Sequence, residues 1–272
     1  MIDTTRKSLI RIKLHEQTGT IILNRPDRRN ALDTALIADL SQALSDLQKQ
    51  RSCRVIIITG AGTAFCSGTD LNEIDAAATQ GDAFERWQRD LVELRDLVEK
   101  MLRFPKPIIA AVNGDTVAAG MALLLASDLV LAADSASLAL SEPRRGLVAG
   151  LVAPLLSFRV GAGTASRLLL TGQTMEAPEA HRIGIVHELI EHDLVWARAV
   201  EWAGECVASA PEALMLTKKL LNETVGEHLT TLLTAGAAIS AAARTTDAAR
   251  EGVKAFLEKR EPDWESLLRD DV

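Results

Sequence analysis

The chain has 272 residues, of which 47% are hydrophobic and 25% are charged, and its formal net charge is -7 at pH 7. This acidic balance disfavours nucleic acid as a partner, because binding to a phosphate backbone needs clustered Lys and Arg. No apolar stretch approaches the roughly 20 residues that a membrane-spanning helix needs. The composition therefore predicts a globular protein whose partner is neither nucleic acid nor a membrane.

The chain start and the cysteines predict a cytoplasmic protein. Residues 1–7 lead into an alternating segment instead of the apolar core of a signal peptide. Cys53, Cys66 and Cys206 are odd in number, widely spaced and without His or Cys at metal-ligand intervals. They therefore indicate reduced thiols, with neither a disulfide framework nor a metal site.

Short strand patterns alternate with helical patterns along the first part of the chain. Apolar or β-branched runs predict strands at residues 10–15, 19–23, 54–59, 107–112 and 129–132. One helix is predicted to begin after Asp33, a good N-cap, and another to cover residues 84–102. This alternation is typical of an α/β fold.

From about residue 204 onward no strand pattern remains. Residues 212–225, 229–243 and 246–259 have the pattern of amphipathic or Ala-rich helices. Such a segment is too small to bury its apolar faces alone, so we expect it to pack on a core or on a neighbouring subunit. The sequence therefore predicts a core over residues 1–203 and a helical oligomerisation region over residues 204–272.

Two Gly-containing turns, at residues 64–71 and 113–121, each follow an apolar strand pattern and open a helix. Helix N-termini leave backbone N–H groups unpaired and carry the positive end of the helix dipole. If the turns face one another, the N–H groups of Thr69 and Ala119 form an oxyanion hole for a carbonyl oxygen. From spacing alone, two ordinary strand-to-helix turns are the alternative.

Several sequence blocks, in the same order and over nearly the whole chain, resemble the crotonase (enoyl-CoA hydratase/isomerase) superfamily. The blocks are LNRP and NAL within residues 23–32, ITG at 58–60, AFCSGTDL at 64–71, KPIIAAVNG at 106–114, LSEPRRGLV at 140–148, LTG at 170–172, GIVHE at 184–188 and AFLEKR at 255–260. The resemblance implies a crotonase (ClpP/crotonase-like) spiral of β-β-α units with a C-terminal helical trimerisation region. The block around Glu142 and the tail through Lys259 look similar to a bacterial methylglutaconyl-CoA hydratase-like branch.

The resemblance also implies roles for individual residues. By position, Thr69 and Ala119 are the oxyanion-hole donors and Glu142 is the acid/base. The residues expected at the CoA moiety are Arg28, Arg29, Ala64, Cys66, Gly68, Asp70 and Leu71, with Phe256 and Lys259 from a neighbouring subunit. The resemblance implies an acyl-CoA thioester substrate, no metal, no cofactor beyond the CoA of the substrate, and a homotrimer or a dimer of trimers.

The chain departs from the family pattern in three places. Ala118-Ala119-Gly120 stands where the family has a triple glycine, and the methyl group of Ala119 restricts φ. Ala122 stands where a fully equipped hydratase has its first glutamate, and Gly150 stands where some isomerases have an aspartate. Glu142 is therefore the one acid expected in the pocket, and its apolar sequence neighbours raise its pKa by partial desolvation. Without the resemblance, Glu142 is typical of a surface ion-pair residue.

One base beside an oxyanion hole supports removal of a proton α to a thioester. Isomerisation of a Δ3-enoyl-CoA to the Δ2 form needs one base, so the lone Glu142 favours isomerisation. The resemblance to the hydratase-like branch favours hydration of a 2-enoyl-CoA, which we rank first. A Δ3-Δ2-enoyl-CoA isomerase and a non-catalytic acyl-CoA-binding scaffold are the alternatives.

Overall fold

The computed structural model describes residues 8–268. Residues 1–7, on which the expectation about the chain start depends, lie outside the described part. The strands are β1 (Ile10–His15), β2 (Thr18–Leu23), β3 (Val55–Gly60), β4 (Ala64–Cys66), β5 (Ile108–Val112), β6 (Asp115–Val117), β7 (Leu129–Ala133), β8 (Ser137–Ala139), β9 (Thr174–Glu176) and β10 (Glu188–Ile190). The α-helices are α1 (Thr34–Lys49), α2 (Leu71–Ala78), α3 (Ala83–Leu102), α4 (Ala119–Leu125), α5 (Val152–Val160), α6 (Ala162–Thr171), α7 (Ala177–Arg182), α8 (Val195–Val207), α9 (Pro211–Lys219), α10 (Leu229–Ala243) and α11 (Asp247–Glu258).

The strands form two sheets. One has six strands in the order β1-β2-β3-β5-β7-β10, and the other has four in the order β4-β6-β8-β9. Successive passes of the chain place β3, β5 and β7 in the first sheet and β4, β6 and β8 in the second. This is a spiral of β-β-α units, and it confirms the predicted α/β class.

The predicted strands and helices are present. The five predicted strands are β1, β2, β3, β5 and β7, and the first helix begins where Asp33 accepts a hydrogen bond from the Leu36 amide at 2.7 Å. Leu36, Leu40 and Leu44 lie on the buried face of α1 at the spacing that the pattern indicated. The β3 and β5 strands are apolar throughout most of their length, and their side chains are buried on both faces of the sheet.

The three-residue strand β4 carries the first of the two turns that the sequence indicated. It pairs in parallel with β6, which precedes the second turn. Because both strands run in the same direction side by side, the turns leave the sheet at one edge and open α2 and α4 next to each other. The fold therefore brings together two segments that are about fifty residues apart in the chain.

The C-terminal helices pack on the core of their own chain. Helix α10 lies against α3, and its Gly236 meets Gly150 of the core so closely that a Cβ on either glycine would collide with the carbonyl oxygen of the other. Helix α8 runs without interruption across residue 203, where the sequence composition changes. No helix within residues 8–268 is long and apolar enough to cross a membrane.

Candidate active site

A cavity of about 310 Å³ lies where the two turns meet the segment that follows β8. Several residues that the sequence analysis selected line it together. They are Arg28, Arg29, Thr69, Asp70, Leu71, Ala119, Glu142 and Phe256. The cavity also reaches α3 and α10, through Leu91, Leu94 and Arg244.

The first turn is fixed by alternating backbone hydrogen bonds to the segment before α1. The Leu32 amide donates to the Gly68 carbonyl at 2.8 Å, and the Asp70 amide donates to the Leu32 carbonyl at 2.9 Å. The Ser67 amide donates to the Arg29 carbonyl at 3.0 Å. Within the described residues, the N–H group of Thr69 between them donates to no protein acceptor. The turn is thus rigid but leaves one amide free at the cavity.

The second turn lies directly against the first. A Cβ on Gly68 would lie 3.0 Å from the Ala119 nitrogen, and a Cβ on Gly120 would lie 2.4 Å from the Cys66 carbonyl oxygen. In the part of the chain that the structure covers, the Ala119 N–H also donates to no protein acceptor. Two free amides, from Thr69 and Ala119, therefore line one cavity, as an oxyanion hole requires.

The residue before α4 holds an unusual backbone conformation. Ala118 has φ 51° and ψ -123°, a combination that side chains other than that of glycine adopt at a cost. Its amide donates to the Ala139 carbonyl at 2.9 Å, which anchors the turn to β8. The strain at Ala118 turns the next peptide so that the Ala119 N–H is left unpaired beside Gly68.

Glu142 precedes the short 3-10 helix Pro143–Arg145, and its carbonyl accepts hydrogen bonds from the Arg145 and Leu147 amides. The residue is 7% exposed, and its Oε2 atom is buried without a hydrogen-bond partner among the described residues. Burial raises the pKa of Glu142 to about 7, although its own backbone amide and the charge of Arg145 lower it. A carboxyl group in this state exchanges protons near neutrality.

The structure shows the surroundings of positions 122 and 150, which lack the acids of other family members. Ala122 is fully buried in α4. A side chain at position 150 has no room, because a Cβ there would lie 2.0 Å from the Gly236 carbonyl oxygen of α10. Ser240 of α10 completes this contact by accepting a hydrogen bond from the Gly150 amide and donating one to the Val148 carbonyl. Docking of α10 thus takes the space that an aspartate at position 150 needs.

Basic and aromatic side chains lie at the exposed side of the cavity. Arg29 forms an ion pair with Asp115, whereas Arg28 makes no ion pair with the described residues. The Arg145 guanidinium carbon lies 4.0 Å from the ring centroid of Phe256, a cation–π contact. Phe256 belongs to the same chain and is 47% exposed. The contact of Phe256 and Lys259 with the CoA of a neighbouring subunit stays a prediction.

Four of the predicted CoA-binding residues do not line the cavity. The side chains of Ala64 and Cys66 are buried, and burial raises the pKa of the Cys66 thiol to about 12. Gly68 supports the contact between the two turns, and Lys259 ends α11 in a left-handed conformation. Only the backbone of Ala64, Cys66 and Gly68 remains to meet a ligand.

The sequence analysis missed Ser141, Arg145, Ser240 and Arg244, all of which line the cavity. Arg244 continues the buried stripe of α10 at spacings of three and four residues after Ala237 and Ser240. That periodicity was the available signal for a buried arginine. No group of three or more His, Cys, Asp or Glu within the described residues is placed to hold a metal ion.

Comparison with known proteins matches this fold and site to one family. The enoyl-CoA hydratase/isomerase family model matches residues 14–267, and the chain belongs to that family. It is 38% identical over 244 residues to a Thermus thermophilus relative with a provisional enoyl-CoA hydratase name, covering 90% of this chain and 96% of the relative. It is 32% identical over 258 residues to the 1,2-epoxyphenylacetyl-CoA isomerase of Escherichia coli, and the match covers 92% of this chain and 96% of that relative.

The fold agrees with solved structures of the family. The crystal structure of an enoyl-CoA hydratase/isomerase from Xanthobacter autotrophicus superposes with a TM-score of 0.84 at 29% identity, covering 94% of this chain and 98% of that one. The resemblance to the crotonase superfamily is thus confirmed, and the protein is an enzyme of the hydratase/isomerase family. The assignment to the methylglutaconyl-CoA hydratase-like branch stays a prediction.

Proposed function

We propose that the protein adds water to the double bond of a 2-enoyl-CoA thioester, with Glu142 as its single acid/base. One observation carries this proposal. The Oε2 atom of Glu142 is buried and unpartnered in the cavity that Thr69 and Ala119 also line. A buried acid without a hydrogen-bond partner costs stability, so its retention beside two free amides favours a role in proton transfer.

The proposed reaction begins with the thioester carbonyl oxygen between the N–H groups of Thr69 and Ala119. Glu142 takes a proton from water, and the oxygen of that water bonds to C3 of the acyl chain. The electron pair of the double bond moves toward the carbonyl, and the two amides stabilise the charge on the enolate oxygen. Glu142 then returns the proton to C2, which restores the thioester and the carboxylate.

The pKa of Glu142 suits both halves of this cycle. A group with a pKa of about 7 is present in similar amounts as acid and base near neutral pH. The same side chain can thus accept a proton from water and donate it one step later. An exposed glutamate, with its pKa near 4.3, is a much weaker base and takes a proton from water far less readily.

Ser141 supports hydration over simple proton transfer. The residue lines the cavity beside Glu142, and its Oγ atom is buried without a hydrogen-bond partner in the part of the chain that the structure describes. A hydroxyl group can both accept and donate a hydrogen bond, so Ser141 can hold the attacking water where a second carboxylate does so in a fully equipped hydratase. We assign it this positioning role.

Isomerisation of a Δ3-enoyl-CoA is the second candidate. It moves a proton from C2 to C4, a task for one base, and positions 122 and 150 supply no second carboxylate. A non-catalytic acyl-CoA-binding scaffold is the third candidate. It is the weakest of the three, because the chain belongs to a family of enzymes.

The CoA moiety is proposed to bind at the exposed side of the cavity, with Arg28 directed to its phosphates. The chemistry transfers only protons and water, so it needs no cofactor besides the CoA of the substrate. The exposed apolar side chains of the π-helical segment Leu220–Val225 between α9 and α10, among them Leu220, Leu221 and Val225, favour the proposed trimer. A cytoplasmic location also stays part of the proposal.

Two spectrophotometric assays with the purified protein test the reaction type. Crotonyl-CoA loses its conjugated absorbance on hydration, and a 3-enoyl-CoA gains it on isomerisation. Faster turnover of crotonyl-CoA supports the hydratase. Turnover of the 3-enoyl-CoA alone overturns it in favour of the isomerase, and binding of both thioesters without turnover favours the scaffold.

A further inference from the structure

Arg244 occupies an unusual place for a charged side chain. It lies at the C-terminal end of α10, is 8% exposed, and lines the cavity together with the buried Leu91 and Leu94 of α3. The exposed side of the same cavity carries Arg28 and Phe256. Arg244 therefore marks the buried end of the cavity, where an acyl chain extends if the CoA lies at the exposed side.

One nitrogen of the Arg244 guanidinium has no hydrogen-bond partner among residues 8–268. This nitrogen, Nη1, is buried, and no ion pair within 4.0 Å reaches the guanidinium from the described residues. A buried donor that lacks a partner loses its hydration without compensation, and a buried charge loses more. The site is thus incomplete as the protein alone forms it.

Two acids lie in the surroundings of Arg244. Asp90 of α3 and Glu73 of α2 attract its charge, and with it they line a second, smaller cavity next to the first. Burial lowers the pKa of Arg244 to about 10, so the group remains a cation at neutral pH. Neither acid lines the larger cavity, whose other buried or half-buried charged groups are Glu142, Arg145 and Asp70, the last of which pairs with Arg25.

We propose that Arg244 binds a carboxylate at the end of the acyl group, so that the substrate is the CoA monothioester of an unsaturated dicarboxylic acid. The inference deepens the proposed function and rests on it for the orientation of the thioester. The planar guanidinium fork matches a carboxylate in two parallel hydrogen bonds. A hydrocarbon tail at the same place leaves the cation both desolvated and unpaired, which disfavours fatty acyl chains.

Binding of unreactive saturated thioesters tests this inference without any catalysis. Calorimetry compares CoA thioesters of straight-chain monocarboxylic acids with those of dicarboxylic acids, in matched pairs from four to eight acyl carbons. We expect at least one dicarboxylic member to bind about 10- to 100-fold more tightly than its partner, the range for a charge-assisted hydrogen bond. Equal binding at every length, or no binding of either series, overturns the inference.

Variants identify Arg244 as the source of the preference. Arg244→Met keeps the length of the side chain and removes its charge, so the preference disappears while the affinity for the monocarboxylic partner is kept or increased. Arg250→Met is the matched control on α11, because Arg250 is exposed and pairs with Asp247. A preference that survives Arg244→Met, or an equal loss for both series, assigns Arg244 to the Glu73 and Asp90 network alone and overturns the inference.

Turnover separates this inference from the proposed function. The wild type is assayed with the 2-enoyl counterparts of the pair that shows the largest preference. Tight, Arg244-dependent binding without turnover supports the carboxylate site and contradicts the hydratase. Turnover without a preference for the dicarboxylic thioester supports the hydratase and contradicts the carboxylate site.

Discussion

The backbone of Gly68 lies so close to Ala119 that a Cβ on the glycine would be 3.0 Å from the Ala119 nitrogen. Gly68 also has φ +83°, a conformation that favours glycine. The proximity places two turns from distant parts of the chain within one small volume. Because each turn leaves one amide without a protein acceptor, the pair defines the proposed oxyanion hole.

Gly68→Ala is expected to lower kcat/KM by about 10²–10³, the cost of one oxyanion-hole donor. The new methyl group pushes against Ala118 and the Ala119 peptide and moves one amide out of place. Gly163→Ala in α6 is the control, since nothing lies within 4 Å of its Cβ position. Steady-state kinetics beside circular dichroism makes the comparison, and full activity of folded Gly68→Ala contradicts the oxyanion hole.

Ala118→Gly is expected to stabilise the protein by about 1 kcal/mol. The substitution relieves backbone strain of about 1–3 kcal/mol. The greater freedom of glycine in the unfolded chain offsets about 0.5–1 kcal/mol of this gain. Ala76→Gly, at an exposed position inside α2, is expected to cost about 1 kcal/mol instead. Thermal unfolding of the wild type and both variants measures these changes. A Tm of Ala118→Gly below that of the wild type contradicts the strain at Ala118.

The rate of hydration is expected to rise with pH through about 7 and then level off. Glu142 must be a carboxylate to accept a proton from water, and burial keeps it protonated up to about pH 7. A profile of kcat/KM against pH for crotonyl-CoA measures the midpoint. Arg145→Met moves the midpoint upward, because the charge of Arg145 lowers this pKa.

Arg144→Met is the control for that pH shift. Arg144 is the neighbour of Arg145 in the chain, but its side chain is directed to the Thr171 carbonyl. Its removal leaves the midpoint where it is in the wild type. A profile that is flat between pH 5.5 and 8.5 argues against Glu142 as the titrating base.

Ser141→Ala is expected to slow hydration by about 10-fold, the effect of one hydrogen bond to the attacking water. It leaves isomerisation of a 3-enoyl-CoA unchanged, because that reaction uses no water. The free energy of unfolding is expected to stay the same, since the lost hydroxyl has no hydrogen-bond partner within residues 8–268. Ser135→Ala at an exposed position serves as the control, and an equal effect on both reactions removes the water-positioning role.

The long helices and strands and the family were predictable from the sequence, because their signals lie in short stretches of neighbouring residues. The buried stripe of α1 and its Asp33 cap, and the apolar runs of β3 and β5, are signals that a few neighbouring residues carry. The three-residue strands β4, β6, β8, β9 and β10 were not predictable from the sequence. Their hydrogen bonds join segments far apart in the chain, and three residues show no period.

The candidate site was predictable where it depends on helix N-termini and on one glutamate in an apolar segment. The periodicity of α10 indicates that Arg244 is buried, but its place in the cavity depends on how α10 packs against α3 and on the Gly150–Gly236 contact. The free Oε2 of Glu142 likewise depends on which groups the fold leaves out of reach. Whether a buried polar atom lacks a hydrogen-bond partner depends on the whole fold, and the sequence alone does not show it.

The most direct test of the central claim is the turnover of Glu142→Gln beside the exposed control Glu191→Gln, with the same enoyl-CoA that the wild type converts. Glutamine keeps the size of the side chain but neither accepts nor returns the proton. The account predicts that kcat falls by about 10²–10⁴, that saturated acyl-CoA binds as before, and that Glu191→Gln is unaffected. Unchanged turnover in folded Glu142→Gln contradicts it.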